Sequence, residues 1–150
     1  MIQGNAGDII PVVEIGERCV YLPNDTAIQY PRLRSEIDPD TEQMRKVYDR
    51  SNGGFKRIYG ASLIENITQA LARIVVIDTM VRVDRMTGFR PFMSTYDSHE
   101  YVIPACMARE FDELLEREFA VTPTWAPDLP LASEGGWGKT LLEAEKGVNQ

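Results

Sequence analysis

The stretch Ser62-Leu63-Ile64-Glu65-Asn66-Ile67-Thr68-Gln69-Ala70-Leu71-Ala72-Arg73 opens the clearest element of this 150-residue chain. Leu63, Ile64, Ile67, Ala70, Leu71, Ile74, Ile77 and Val81 recur at helical spacing, which predicts one apolar-striped helix over 62–83. Ser62-Leu63-Ile64-Glu65 has the form of a capping box, with a start one turn earlier left open. The opposite face carries Ser62, Glu65, Asn66, Gln69 and Arg73. Such a face ordinarily meets water. Amide, hydroxyl and guanidinium groups with few lysines also suit a nucleic-acid minor groove.

Upstream of the helix the chain reads as short extended runs. Phe55 to Tyr59 and Arg45 to Arg50 are two strands joined by Ser51-Asn52-Gly53-Gly54, whose glycines supply the positive φ of a turn. Ser35 to Glu42 is polar and reads as a loop around Asp38-Pro39-Asp40. Cys19 to Leu22 and Ala27 to Tyr30 flank Pro23-Asn24-Asp25 as a hairpin, and residues 1–11 read as an arm. Downstream, Thr95-Tyr96-Asp97-Ser98-His99 places an aspartate at a tight turn between strands near 90–96 and 99–103. Ala105 to Phe119 is a second amphipathic helix, 121–132 is Pro-rich and extended, and 133–140 is Gly-rich. The expected class is α+β: an antiparallel sheet with the long helix and the second helix packed on it.

Composition narrows the partners. Apolar residues make up 43% and charged residues 26%, ordinary for a globular protein. No continuous apolar run approaches the roughly 18 residues that cross a bilayer, and no basic, then apolar opening suggests a secretory signal. Cys19 and Cys106 fit no zinc spacing and read as free thiols of a reducing cytosol. His99 is the sole histidine, which excludes a His-rich zinc site or a Ser-His-Asp triad elsewhere. The net charge of −7 argues against an autonomous nucleic-acid binder. Its distribution is uneven. Residues 1–96 hold 12 acidic and 12 basic side chains, against 11 and 4 in residues 97–150. Arg32, Arg34, Arg45, Lys46, Arg50, Lys56 and Arg57 cluster within 32–57, so this part is locally able to meet an acidic polymer.

Four segments in order resemble the family A DNA polymerases, in particular the phage-type members, over roughly residues 15–147. Cys19-Val20-Tyr21-Leu22-Pro23 followed by Ile28-Gln29-Tyr30-Pro31-Arg32-Leu33-Arg34 resembles their leucine-proline, then tyrosine-proline-arginine hairpin. Tyr59 to Arg73, with its Glu-Asn-x-x-Gln-Ala-x-Ala-Arg core, resembles their long palm helix. The Asp97 hairpin falls where the family places motif C, with Pro104 at the usual distance. Trp125-Ala126-Pro127-Asp128-Leu129-Pro130-Leu131 and Ser133-Glu134-Gly135-Gly136-Trp137-Gly138 resemble the C-terminal signature. The resemblance implies a palm-like sheet over residues 12–150, the C-terminal portion of a DNA-directed DNA polymerase.

It also implies a site. Asp97 would be the catalytic, metal-holding aspartate of motif C, one of two that bind Mg²⁺ for nucleotidyl transfer to a primer. Gln69 would meet the primer-template minor groove, with Asn66, Arg73, Arg57 and Tyr96 as further DNA contacts and Arg34 as a backbone-phosphate contact. Two departures matter. The common His-Asp-Glu is here Tyr96-Asp97-Ser98, which removes an auxiliary carboxylate. Nothing resembles motif A or the fingers helix that grips the incoming dNTP.

The isolated chain is therefore expected to be inactive and to need a complementary chain carrying those parts. Met1 as a start fits a polymerase split between two polypeptides. The implied setting is the cytoplasm of a phage-infected bacterium, with no membrane partner. Three rival readings stand beside this one. The chain is a non-catalytic palm-like interaction module, or His99-Glu100 is the motif, or Asp97 and His99 form a hydrolase site that turns over small esters. Gly135-Gly136-Trp137-Gly138-Lys139-Thr140 is set aside as a phosphate-binding loop, because Ser133 stands where the first glycine is required and no strand precedes it.

Overall fold

A computed structural model describes residues 12–145; the arm read at 1–11 lies outside them. The elements in chain order are β1 (Glu14–Ile15), β2 (Cys19–Tyr21), β3 (Ala27–Gln29), β4 (Arg34–Ile37), β5 (Met44–Asp49), β6 (Phe55–Ile58), α1 (Gly60–Thr87), β7 (Met93–Thr95), β8 (Ser98–Glu100), α2 (Ala108–Phe119) and α3 (Leu141–Glu145). A 3₁₀ turn at Ala105–Met107 leads into α2. The expected α+β class with antiparallel strands, a long helix and a shorter one is observed. The strands fall into three small sheets, β1-β2-β3, β4-β5-β6 and β7-β8. The chain divides into two compact units, Met1–Ala72 and Arg73–Gln150, and the division falls inside α1.

In the first unit both predicted hairpins form. β2 pairs β3 in the register Cys19↔Gln29 to Tyr21↔Ala27, and β5 pairs β6 from Lys46↔Ile58 to Asp49↔Phe55. Gly53 (φ 89°) and Gly54 (φ 75°) supply the left-handed backbone of the second turn. The segment read as a polar loop differs: Arg34–Ile37 is a strand paired to β5, from Arg34↔Val47 to Ile37↔Met44. Its polar side chains hid the pattern because they are satisfied within the sheet. Arg45 donates to Glu36 at 2.8 and 3.0 Å and to Asp38 at 2.8 Å, and Arg34 donates to Asp49 at 2.7 Å. Asp38 also accepts the Asp40 N–H at 3.0 Å. That backbone bond and the Arg45 guanidinium hold the Asp38 carboxyl below its ordinary pKa. Beneath this charged face Val47 is fully buried. Val20 and Tyr30 complete the core of the unit, Tyr30 meeting Tyr48 edge-on at 5.1 Å.

α1 begins one turn before the Ser62 box. Leu63 N–H donates to the Tyr59 carbonyl at 2.9 Å, so Tyr59 is the cap. The Ser62 hydroxyl accepts from Tyr59 N–H at 2.9 Å and donates to its carbonyl at 2.8 Å. Ser62 thus reaches back to the cap residue, as Glu or Gln does in a capping box. The helix ends at Gly88, whose φ of 75° and N–H bond to Asp84 at 2.7 Å form a left-handed cap.

The expected stripe is only partly buried. Ile64 and Val81 are exposed, while Ile74, Thr79 and Val83 are buried. Thr79 tolerates burial because its hydroxyl donates to the Val75 carbonyl at 3.0 Å and accepts from Arg82 at 3.0 Å. The most apolar 18-residue window of α1 has a mean hydropathy of 1.2, long and apolar enough to cross a membrane by composition alone. Glu65, Asn66, Gln69 and Arg73 lie in the same helix, and each would be costly in hydrocarbon.

The second unit centres on α2. Phe111 is buried and meets Phe89 at 5.6 Å and Tyr101 at 5.0 Å, both edge-on. Phe119, two turns further along the same face, stacks on His99 at 5.7 Å. Arg82 ties α1 to α2 by donating to the Glu118 carbonyl at 2.8 Å and to its carboxylate at 3.4 Å. The Gly-rich segment holds no regular strand, and Lys139 N–H is capped by the Glu143 carboxylate at 2.8 Å. An internal carboxylate where a phosphate would sit agrees with setting the phosphate-loop reading aside. Both cysteines are free thiols.

Candidate functional site

β7 and β8 pair as Met93↔Glu100, Ser94↔His99 and Thr95↔Ser98, leaving Tyr96-Asp97 as a two-residue turn. The strands are shorter than expected, but the aspartate stands at the tip. Two-residue hairpin turns favour positive φ at their first position, a place usually filled by Gly or Asn. Here Tyr96 adopts φ 55° and is 89% exposed. A bulky residue in the left-handed region is a local strain that the hairpin pairing must hold in place. Asp97 is exposed and makes no hydrogen bond or ion pair among the described residues. Its carboxylate is available to a ligand from outside.

Behind the tip the chemistry differs. Both ring nitrogens of His99 are buried without a hydrogen-bond partner. Burial pushes the imidazolium pKa down, and the Arg73 guanidinium pushes it the same way, against weaker pulls from Glu100 and Asp97. His99 is a neutral packing residue under the hairpin. No Asp97–His99 hydrogen bond forms, which removes the geometry of the hydrolase reading. Glu100 belongs with His99 to one of the rival motif readings. It points to the same side as Ser98, whose hydroxyl donates to it at 3.3 Å. Its other oxygen is buried and unpartnered. Only the two-residue spacing from Ser98 could have signalled this carboxylate.

The remaining predicted residues occupy distinct environments. Gln69 is exposed, with its amide donating to Glu65 one turn back at 3.2 Å. Asn66 is half-buried and donates to the Tyr30 hydroxyl at 3.1 Å, so its amide holds the helix to the Tyr30 core. Arg73 is exposed and close enough to His99 to shift it. Arg57 is exposed on β6 with no ion pair among the described residues, whereas Arg34 is taken by Asp49.

Mg²⁺ requires oxygen ligands in near-octahedral array. Among the described residues no three His, Cys, Asp or Glu side chains gather into a metal-holding group. Among those residues Asp97 stands as a single exposed carboxylate.

Comparison with known proteins supports a relation to DNA polymerases. A DNA polymerase of Bacillus phage SP02 is 29% identical over 126 residues, covering 81% of this chain and 19% of the relative. The chain thus spans about a fifth of that protein's length. No protein-family model matches, and no solved structure matches.

Proposed function

We propose that this chain is the C-terminal palm portion of a family A, phage-type DNA-directed DNA polymerase, acting with the parts of the enzyme it does not contain. The carrying observation is Asp97, an exposed and unpaired carboxylate on a strained two-residue turn, in a chain related to a phage DNA polymerase. Asp97 contributes one carboxylate toward Mg²⁺, and the complementary region supplies the rest of the donor set together with the dNTP grip. Mg²⁺ held in part by Asp97 would supply activation of the primer 3′-hydroxyl and charge neutralisation at the leaving pyrophosphate. The chain's own residues position the nucleic acid. Gln69 presents its amide from the open side of α1, Arg73 and Arg57 offer charge to backbone phosphate, and Tyr96 flanks the aspartate. Asn66, one turn before Gln69, is anchored by its bond to Tyr30. Such a protein works in the cytoplasm of an infected bacterium.

The test combines this chain with the polymerase region bearing motif A and the fingers, and measures Mg²⁺-dependent primer extension. Asp97→Ala abolishes extension while the complex still assembles. Full extension by that variant would remove the metal role. A complex that assembles but extends no primer even with Asp97 intact would favour the interaction-module reading, for which exposed Ile15, Ile64 and Tyr59 are the motive.

A further inference from the structure

The first unit holds a cavity that the Asp97 site does not use. It opens between the β1–β2 turn, the β5–β6 pair and the start of α1, with a volume of about 180 Å³. That is comparable to the roughly 150 Å³ of an apolar cavity that admits a benzene ring. Val20, Tyr30, Leu33, Ile58 and Leu63 wall it. Ile15 and Tyr59 line it while remaining 69% and 59% exposed, so the apolar surface continues outside. Basic charge adjoins it. The register sets Lys46, Tyr48, Lys56 and Ile58 on one face of the β4–β6 sheet, and no strand residue of that face is acidic. Lys46 lines the cavity and donates to the Ser35 hydroxyl at 3.4 Å, and neither lysine forms an ion pair among the described residues. Glu17, which also lines the cavity, keeps 88% of its side chain exposed and lies 3.7 Å from Arg18. Glu36 and Asp49 alternate onto the opposite face, where arginines take them.

A ligand complementary to this surface needs a bulky apolar group for the cavity and negative charge for the lysines. A nucleotide base fits poorly, because its edge donors and acceptors would lose water against apolar walls. A neutral apolar molecule would leave both ammonium groups unused. An acidic peptide with one aromatic or branched side chain meets both demands, the side chain as the buried anchor and the carboxylates at the rim. We infer that this cavity, with Lys46 and Lys56, is a docking site for an acidic segment of a partner protein, anchored by one such side chain. The site is built by the first unit alone and needs neither Asp97 nor a metal, so it stands or fails apart from the catalytic reading.

Fluorescence anisotropy of the labelled peptide Asp-Asp-Phe-Asp-Asp with the full chain tests it, alongside the rate of maleimide labelling at each cysteine. The peptide binds and slows labelling of Cys19, which lines the cavity, while exposed Cys106 labels at its unchanged rate. Alanine in place of the peptide's phenylalanine weakens binding about tenfold or more. The Lys46→Ala, Lys56→Ala double variant, its fold checked by circular dichroism, weakens binding about two- to thirtyfold and flattens its dependence on salt. The inference is overturned if the folded wild-type chain does not bind the peptide, or if the alanine peptide or the double variant binds as well. Binding without protection of Cys19 puts the peptide elsewhere and also overturns it. So does displacement by oligothymidylate as effective as by unlabelled peptide at equal charge, which makes the face a nucleic-acid contact.

Discussion

Two aspartates at two hairpin ends divide the molecule. Asp49, at the end of β5, accepts a hydrogen bond from Arg34 and pairs with Arg32, and only 20% of its side chain is exposed. Asp97 sits in the turn between β7 and β8, exposed and unpartnered among the described residues. The β4–β6 sheet closes most of its carboxylates within itself, whereas the β7–β8 hairpin offers one outward from a turn strained at Tyr96. A carboxylate with its cations in place serves the fold. On the function proposed above, one without a partner among the described residues serves a ligand from outside the fold.

The largest expected effect separates these roles. On the proposed function, Asp97→Ala lowers primer extension by the complete enzyme at least about a hundredfold, since it would remove charge stabilisation at the reacting phosphate. The same change moves stability by no more than about 0.5 kcal/mol, because no contact is lost. Asp49→Ala does the reverse: the thermal midpoint falls, and extension drops only with the folded fraction. Equal loss of stability in the two variants, read from thermal unfolding, breaks the contrast.

Packing sharpens it next. Val47 lies fully buried beneath Arg34 and Arg57, so Val47→Ala costs about 2 kcal/mol through lost contacts and a small cavity. Met93 on the outer side of the other hairpin is 41% exposed, and Met93→Ala changes stability by less than about 1 kcal/mol. Denaturant midpoints of the two variants check the order. Comparable losses would mean that β7–β8 is as firmly built as the larger sheet.

Acid titration probes the charge pairs directly. The folded-state pKa values of Asp38 and Asp49 are lowered, chiefly by the Asp40 N–H for the first and by Arg34 for the second. Their stabilisation is fully present above the unfolded-state pKa of about 3.9 and is lost as pH falls through the lower folded values. The thermal midpoint of wild type therefore falls on acidification from pH 5 toward pH 3, and Asp49→Asn flattens part of that fall. An unchanged profile in Asp49→Asn would show that its two arginines contribute nothing to the fold.

The hairpins and helices were legible because turn chemistry and period are local: Gly53-Gly54, Pro23-Asn24-Asp25 and the 3.6-residue rhythm from Leu63 state their conformations directly. β4 was not, since Arg34-Ser35-Glu36-Ile37 looks solvated until Arg45 and Asp49 arrive from the neighbouring strand. Ion pairs across a sheet leave no mark in the single strand. The stripe lies open at Ile64 and Val81 for a related reason: periodicity reveals which side chains share a face, but not which faces find a cover. At the site, Asp97 was readable because a tip position follows from its flanking strands. The unpartnered oxygen of Glu100 was not, since its burial depends on how the hairpin packs.

The smallest effect falls on α1, where the same division recurs one turn apart. Asn66 turns inward and donates to Tyr30, and Gln69 stays outside with only Glu65. Asn66→Ala leaves the Tyr30 hydroxyl short of a partner and costs about 1 kcal/mol. Tyr30→Phe alone costs a similar amount, and the double variant costs less than the sum because both changes delete one shared bond. Gln69→Ala stays within about 0.5 kcal/mol of wild type in stability yet slows primer extension, because on the proposed function its exposed amide meets the nucleic acid and not the core. Additive losses for Asn66 and Tyr30 would unlink that pair. An unchanged extension rate and primed-template affinity for Gln69→Ala would leave the open side of α1 with solvent as its only partner at this position.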